Sequence, residues 1–325
     1  MNSPTHLAAP RDAKTCTGAD IRDLLDALAY WLESHAEHLN ALNVFPVPDG
    51  DTGINMSRTL RAAANEAALV DAAPAAVLMA AARGALLGAA GNSGVILSQM
   101  MRGFAETFAT RQLSSGDELR AACQAAFEAG YKSVTQPVEG TILSVARATA
   151  SAIEPGASLS EGLSQALRGA ARAVDATPTQ LEKLRIAGVV DAGGEGLRLI
   201  LDGVQRWMAG EDLRSVAVPA VVNRALVGNQ HAGSEVGFCT QFVVENSSLE
   251  IEELRAQLDL VSTSVVVVGN EELLRAHAHA QLPGQVLDIA IKAGTVSRIS
   301  IENMELQNQS ARNDAPAGGT GIIAV

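Results

Sequence analysis

The sequence is poor in the residues that most often declare a function. Aromatic side chains make up only 3% of its 325 residues, three cysteines are scattered through it, and 24 Lys and Arg face 36 Asp and Glu. The formal net charge of −12 excludes a surface built for nucleic acid or an anionic membrane. Any bound phosphate must then be held by metal, backbone amides and a few local cations. Cys16, Cys123 and Cys239 are odd in number and share no motif spacing, which argues against a disulfide framework and for a reducing, cytoplasmic setting. The longest apolar window, residues 67–90, is broken by Asp71, Pro74 and Arg83, so it reads as paired buried helices and not as a membrane span. Residues 1–17 lack the apolar run of a signal peptide and read as a disordered tail. Neither Gly-x-x-x-x-Gly-Lys-Ser/Thr nor Gly-x-Gly-x-x-Gly after a strand is present, so the usual nucleotide folds find no support.

Alanine and helical periodicity are abundant. Ile21, Leu24, Leu25, Leu28, Trp31 and Leu32 recur at the spacing of one helix face, predicting a first helix over 18–39. Further helices are expected at about 55–70, 74–87, 116–133, 139–153, 159–175, 178–187 and 191–208, with Pro74, Pro137 and Pro178 opening elements. From 209 to 234 the pattern dissolves into a linker. Beyond it the period changes to strands at 237–244, 263–269, 274–280 and 296–304, with helices at 249–260 and 284–293. That order predicts a split β-α-β sandwich of the ferredoxin-like kind. The expected organisation is multidomain, an all-α helical barrel or bundle followed by a smaller α+β domain: tail 1–17, helical domain 18–210, linker 211–235, α+β domain 236–310 and tail 311–325.

Four polar turns interrupt the helices. The first, Asn43-Val-Phe-Pro-Val-Pro-Asp49-Gly-Asp51, is kept out of helix by Pro46 and Pro48 and delivers two carboxylates beside a helix start, a pairing suited to Mg²⁺ and the phosphates it carries. The bland alternative is an Asx turn capping the next helix. The second turn, Gly88 to Gly94, exposes amides at a positive helix end, with Asn92 or Ser93 placed to cap. The third places Glu139, Gly140 and Thr141 in the first turn of a helix. In the fourth, Asp191 enters the last helix as a cap or as a neighbour of a ligand. Three of the four carry an acid, which is more than connection chemistry requires, so they are expected to converge at one end of the bundle.

In the second domain His277-Ala-His279 puts two imidazoles on one face of a strand, and Cys239 lies on a strand that can neighbour it. A thiolate with two imidazoles suits Zn²⁺ with an open fourth position, while a buried cysteine with two edge histidines remains the alternative.

Together, Asn-Val-Phe-Pro-Val-Pro-Asp-Gly-Asp-Thr-Gly-x-Asn-Met, Gly-Asn-Ser-Gly-Val-Ile-Leu-Ser-Gln, Pro-Val-Glu-Gly-Thr-Ile-Leu and Val-Val-Asp-Ala-Gly-Gly-x-Gly-Leu resemble the kinase domain of bacterial fatty acid kinase, itself similar to the ADP-binding subunit of dihydroxyacetone kinase. The resemblance implies a helical barrel that binds ATP through two Mg²⁺ ions. Asp49 and Asp51 match its metal-binding, catalytic acids, and Asn43 stands near a further aspartate of the dihydroxyacetone kinase pattern. The implied nucleotide-binding residues are Thr52, Gly53, Asn55, Met56, Gly91, Asn92, Ser93, Gly94, Thr141, Asp191, Gly193 and Gly194. Ala90 stands where the family usually carries arginine, so a cation beside the phosphates is missing. The Phe-Cys-Thr-Gln-Phe and His-x-His segments resemble the family's middle domain and favour Zn²⁺ at Cys239, His277 and His279, in a structural or partner-organising role outside the nucleotide motifs.

The implied activity is transfer of the γ-phosphoryl group of Mg·ATP to a fatty acid carboxylate presented by a separate fatty-acid-binding protein. No fatty acid pocket is evident in the sequence. An acceptor already anionic needs no general base, which agrees with a site of acids, glycines and hydroxyls. A homodimer is also expected. The alternatives are an inactive nucleotide-binding scaffold and a kinase subunit of the dihydroxyacetone type. Fatty acid kinases usually continue into another large domain, so the resemblance implies a truncated chain or a reduced member.

Overall fold

The computed structural model describes residues 16–108, 113–216, 237–270 and 272–304. The expected N-terminal tail and the C-terminal tail lie almost wholly outside these residues, as does most of the expected linker. Its first residues are an exception: Leu213 is fully buried in the helical core, and Arg214 bonds Asp23 and Asp26.

The helical part runs through α1 (Gly18–Ser34), α2 (Ala36–Ala41), α3 (Thr52–Ala68), α4 (Pro74–Gly88), α5 (Gly91–Phe108), α6 (Gly116–Lys132), α7 (Ile142–Ser151), α8 (Leu159–Gln180), α9 (Glu182–Ala187) and α10 (Ala192–Met208). Capping boxes start three of them, at Thr17 with Asp20, Ser115 with Glu118 and Ser158 with Glu161. Two boundaries correct the sequence reading. The first helix breaks at His35, whose Nδ1 lies 2.7 Å from the Trp31 carbonyl that the His35 N–H of an unbroken helix would use. Pro178 does not open a helix; it lies inside α8, and the hydroxyl of Thr177 donates to the Val174 carbonyl that Pro178 has no N–H to satisfy.

The bundle also encloses an apolar cavity of about 530 Å³, lined by residues such as Leu25, Met100, Phe104, Leu163 and Ile200. Periodicity gives no sign of it, because each lining residue also reads as core. Among the described residues no helix is long and apolar enough to cross a membrane.

The second part is β1 (Phe238–Glu245), α11 (Ile251–Asp259), β2 (Thr263–Asn270), β3 (Leu273–Ala280), α12 (Pro283–Ala293) and β4 (Thr295–Asn303). Its strands are antiparallel in the order β2-β3-β1-β4, as the ferredoxin-like expectation requires. Alternation divides the sheet into two faces. Phe242, Val244, Val265, Val267, Leu274, Ala276 and Ala278 pack with α11 and α12. The other face carries Val266 and Val268, which join Leu86, Ala89 and Val95 of the helical part in a shared apolar cluster. The sheet is thus seated on the bundle.

Candidate functional site

A cavity of about 590 Å³ lies where the sheet meets the helical turns. Its walls include Asn43, Asp49, Asp51, Thr52 and Asn55 from the first turn, Gly91, Asn92 and Ser93 from the second, Thr141 from the third, and Asp191 and Gly193 from the fourth. The four turns therefore converge. Cys239, His277 and His279 line the same cavity, which corrects the expectation that they lie apart from the nucleotide motifs. Register explains why: Cys239 pairs with His279 and Gln241 with His277, so β1 and β3 present these side chains on the face turned to the bundle.

The proline-stiffened loop holds its acids free of local duty. Gly50 has φ +67°, a left-handed turn that places Asp49 and Asp51 side by side. Asp51 occupies the N-cap position of α3 but makes no capping bond, against the Asx-turn alternative. Asn43 Oδ1 accepts from the Thr52 N–H at 3.0 Å, and Asn40 Oδ1 accepts from Gly53 at 2.8 Å and Ile54 at 3.3 Å. Asparagines from the preceding segment thus cap α3 in place of the aspartate. Asn40 escapes sequence reasoning because its partners are 13 and 14 residues away. Loss of solvent, then the Asp51 charge and a hydrogen bond with Asp51, raise Asp49 to about 8. Two crowded carboxylates that resist joint ionisation form a site for a cation.

Several expected ligand residues have other work. Asn43 lines the cavity, but its amide donates to the Val47 carbonyl at 2.7 Å and its oxygen accepts from Thr52 N–H and hydroxyl, so it braces the loop. Gly53, Met56, Gly94 and Gly194 do not line the cavity. A Cβ at Gly53 would strike the Ala36 carbonyl, one at Gly94 would strike Thr59 Oγ1, and one at Gly194 would meet Val145. Met56 is fully buried against Gly196. These residues pack helices closely.

Thr141 caps α7, accepting from Leu143 N–H at 3.4 Å and donating to Val138 O at 2.8 Å. Because the helix starts only at Ile142, Glu139 lies before its first turn and pairs with Ser144 and Arg147 instead. Asn92 and Ser93 sit within α5, which begins at Gly91, and so do not cap it. The buried Asn92 Oδ1 has no partner. Asp191 is both things expected of it, a cavity wall and the cap of α10, where its carboxylate accepts from Gly194 at 2.7 Å. Burial raises it to about 6.

On the sheet side, Cys239 Sγ lies 3.7 Å from His277 Nδ1, and His277 Nε2 lies 3.1 Å from His279 Nε2. One ligand atom from each of the three fits within 4.8 Å of the others. Burial pushes the Cys239 thiol up to about 12 and, with His279 and Arg275 nearby, His277 down to about 3. Arg275 lines the cavity beside them and was not singled out from sequence; an arginine in a strand is ordinary until its burial is seen.

Comparison with known proteins places these features. Residues 46–206 match the DAK2 domain model, and residues 235–311 match the FakA-like middle domain, a family described from fatty acid kinase. Protein YloV of Bacillus subtilis is 35% identical over 315 residues, covering 91% of this chain and 57% of that protein. An uncharacterized protein of Staphylococcus epidermidis is 32% identical over 304 residues, covering 88% of this chain and 55% of its own. The chain thus spans a little over half the length of these relatives. The dihydroxyacetone kinase of C. freundii in complex with AMP-PNP and Mg²⁺ aligns with a TM-score of 0.44 at 17% identity, over 64% of this chain and 36% of that one.

Proposed function

The chain belongs to the DAK2-domain proteins that carry a FakA-like middle domain, and from that premise we propose that it is the nucleotide-binding component of a fatty acid kinase. In this reading Mg·ATP fills the cavity between turns and sheet, and its γ-phosphoryl group passes to a fatty acid carboxylate presented by a separate fatty-acid-binding protein. The observation that carries the reading is the uncommitted Asp49–Asp51 pair, excused from capping by Asn40 and Asn43 and facing the amides of the glycine-rich turn. Mg²⁺ held by the two carboxylates would neutralise phosphate charge in a protein with a net charge of −12. The apolar cavity of the bundle shares no lining residue with this site, so the acceptor reaches it from outside. ATP turnover should need a fatty-acid-loaded binding protein and yield acyl phosphate. Turnover that ignores the loaded partner and phosphorylates dihydroxyacetone instead would reassign the substrate.

The sheet side of the cavity also fits Zn²⁺. A buried thiol and two adjacent imidazoles are soft donors that Mg²⁺ does not prefer, and three ligands leave one position open. Zinc there would supply a fixed positive charge and tie β1 to β3 at the cavity wall. Metal analysis of untagged protein should find about one zinc per chain, lost in Cys239→Ser.

A further inference from the structure

Arg275, on β3, has 7% of its surface exposed and faces the cavity, yet no carboxylate pairs with it among the described residues. One Nη donates to the Leu87 carbonyl at 3.2 Å, the other to Gln241 Oε1 at 3.2 Å, and Nε is buried without a partner. A guanidinium has five N–H donors, so neutral oxygens leave this one both incompletely bonded and uncompensated in charge. Gln241 Oε1 is shared. It also accepts the N–H of Gly91, the first residue of α5, at 3.3 Å. One oxygen therefore bridges an arginine from the sheet and an amide at a helix N-terminus, the two donor types that together hold a phosphoryl oxygen.

We propose that Arg275 and the Gly91 N–H form a phosphate-oxygen subsite divided between the two parts of the chain, with Gln241 Oε1 holding the place of the anionic oxygen until a nucleotide phosphate displaces it. The proposal rests on the reading of the cavity as a Mg·ATP site. It supplies from the sheet the cation that Ala90 does not offer on the helical side, and it makes closure of the sheet onto the bundle sensitive to the presence of phosphate.

Calorimetry with Mg·ATP and with Mg-tripolyphosphate, which lacks the nucleoside, tests it on the full chain. Arg275→Gln should weaken both ligands by about 10- to 100-fold, with Arg275→Lys recovering part of the loss. Its zinc content and the melting temperature of the ligand-free protein should stay close to wild type. Ala90→Arg, which places a cation on the same cavity wall, should restore binding in the Arg275→Gln background. Gln241→Ala removes only the capping oxygen and should tighten Mg-tripolyphosphate. Wild-type affinity in Arg275→Gln, or no tightening in Gln241→Ala if the arginine variant does not fold, overturns the subsite while leaving the Mg·ATP reading intact. Absence of Mg·ATP binding by the wild type overturns the reading itself.

Discussion

Asp51 occupies the first position of α3 with its carboxylate uncommitted, because Asn40 and Asn43 supply the acceptors that the helix start requires. Asp49 beside it is raised to about 8 by lost solvent and by Asp51, so the pair is electrostatically strained without a cation. Asp49→Asn should therefore leave the free protein as stable as wild type or more so. Its affinity for Mg·ATP should fall by about 100-fold, on the order of 3 kcal/mol. Thermal melts with and without Mg·ATP separate the two effects, and an undiminished ligand-induced shift in the variant would remove Asp49 from the metal site. At Gly50, φ +67° with nothing closer than 3.9 Å to an added Cβ makes the constraint conformational and not steric. Gly50→Ala should cost about 1–2 kcal/mol in urea unfolding.

At the scale of elements, α1 and α3 are joined by charge as well as by packing. Arg61 bonds Asp26 and Glu33, and Arg214 reaches Asp26 and Asp23 from beyond α10. The two arginines hold Asp26 below its ordinary value of 3.8, Arg214 contributing most. A depressed carboxylate stabilises the fold fully above its unfolded value and loses that contribution as the pH falls through its lower folded value. Half-exposed, the cluster is worth about 1 kcal/mol. Asp26→Asn should thus lower the urea midpoint near neutral pH, and the gap from wild type should close by about pH 3. A gap independent of pH would assign the loss to packing. Asn40→Ala should uncap α3 for about 1 kcal/mol and weaken Mg·ATP without removing any metal ligand.

For the whole molecule, the sequence suggests two parts that share few core positions and unfold separately, an expectation the packing corrects. Leu86, Ala89 and Val95 share a cluster with Val266 and Val268, and Arg275 bonds the end of α4. Unfolding of the two parts should be coupled. Leu86→Ala should cost about 2 kcal/mol or more and separate the transitions in calorimetry. If the wild type already melts in two independent steps, the shared cluster does not couple them. Element types, the ferredoxin-like order and the four turns were legible because each is a local period or a short motif whose backbone chemistry acts within a few residues. Pro178 and the break at His35 escaped it, since each is settled by a side chain returning to a carbonyl one turn back. Which glycines serve a ligand and which only let helices touch was equally hidden: Gly91 lines the cavity, whereas Gly53 and Gly94 lie against backbone or side chains of neighbouring segments. By itself the sequence determined that acids and glycine-rich turns exist and that two imidazoles share a strand face. Only the tertiary structure decided that Cys239, His277, His279 and Arg275 look into the same cavity as Asp49 and Asp51. That meeting depends on the sheet laying its helix-free face on the ends of α4 and α5, where Arg275 bonds Leu87 across 188 positions of sequence, a contact that no local pattern encodes.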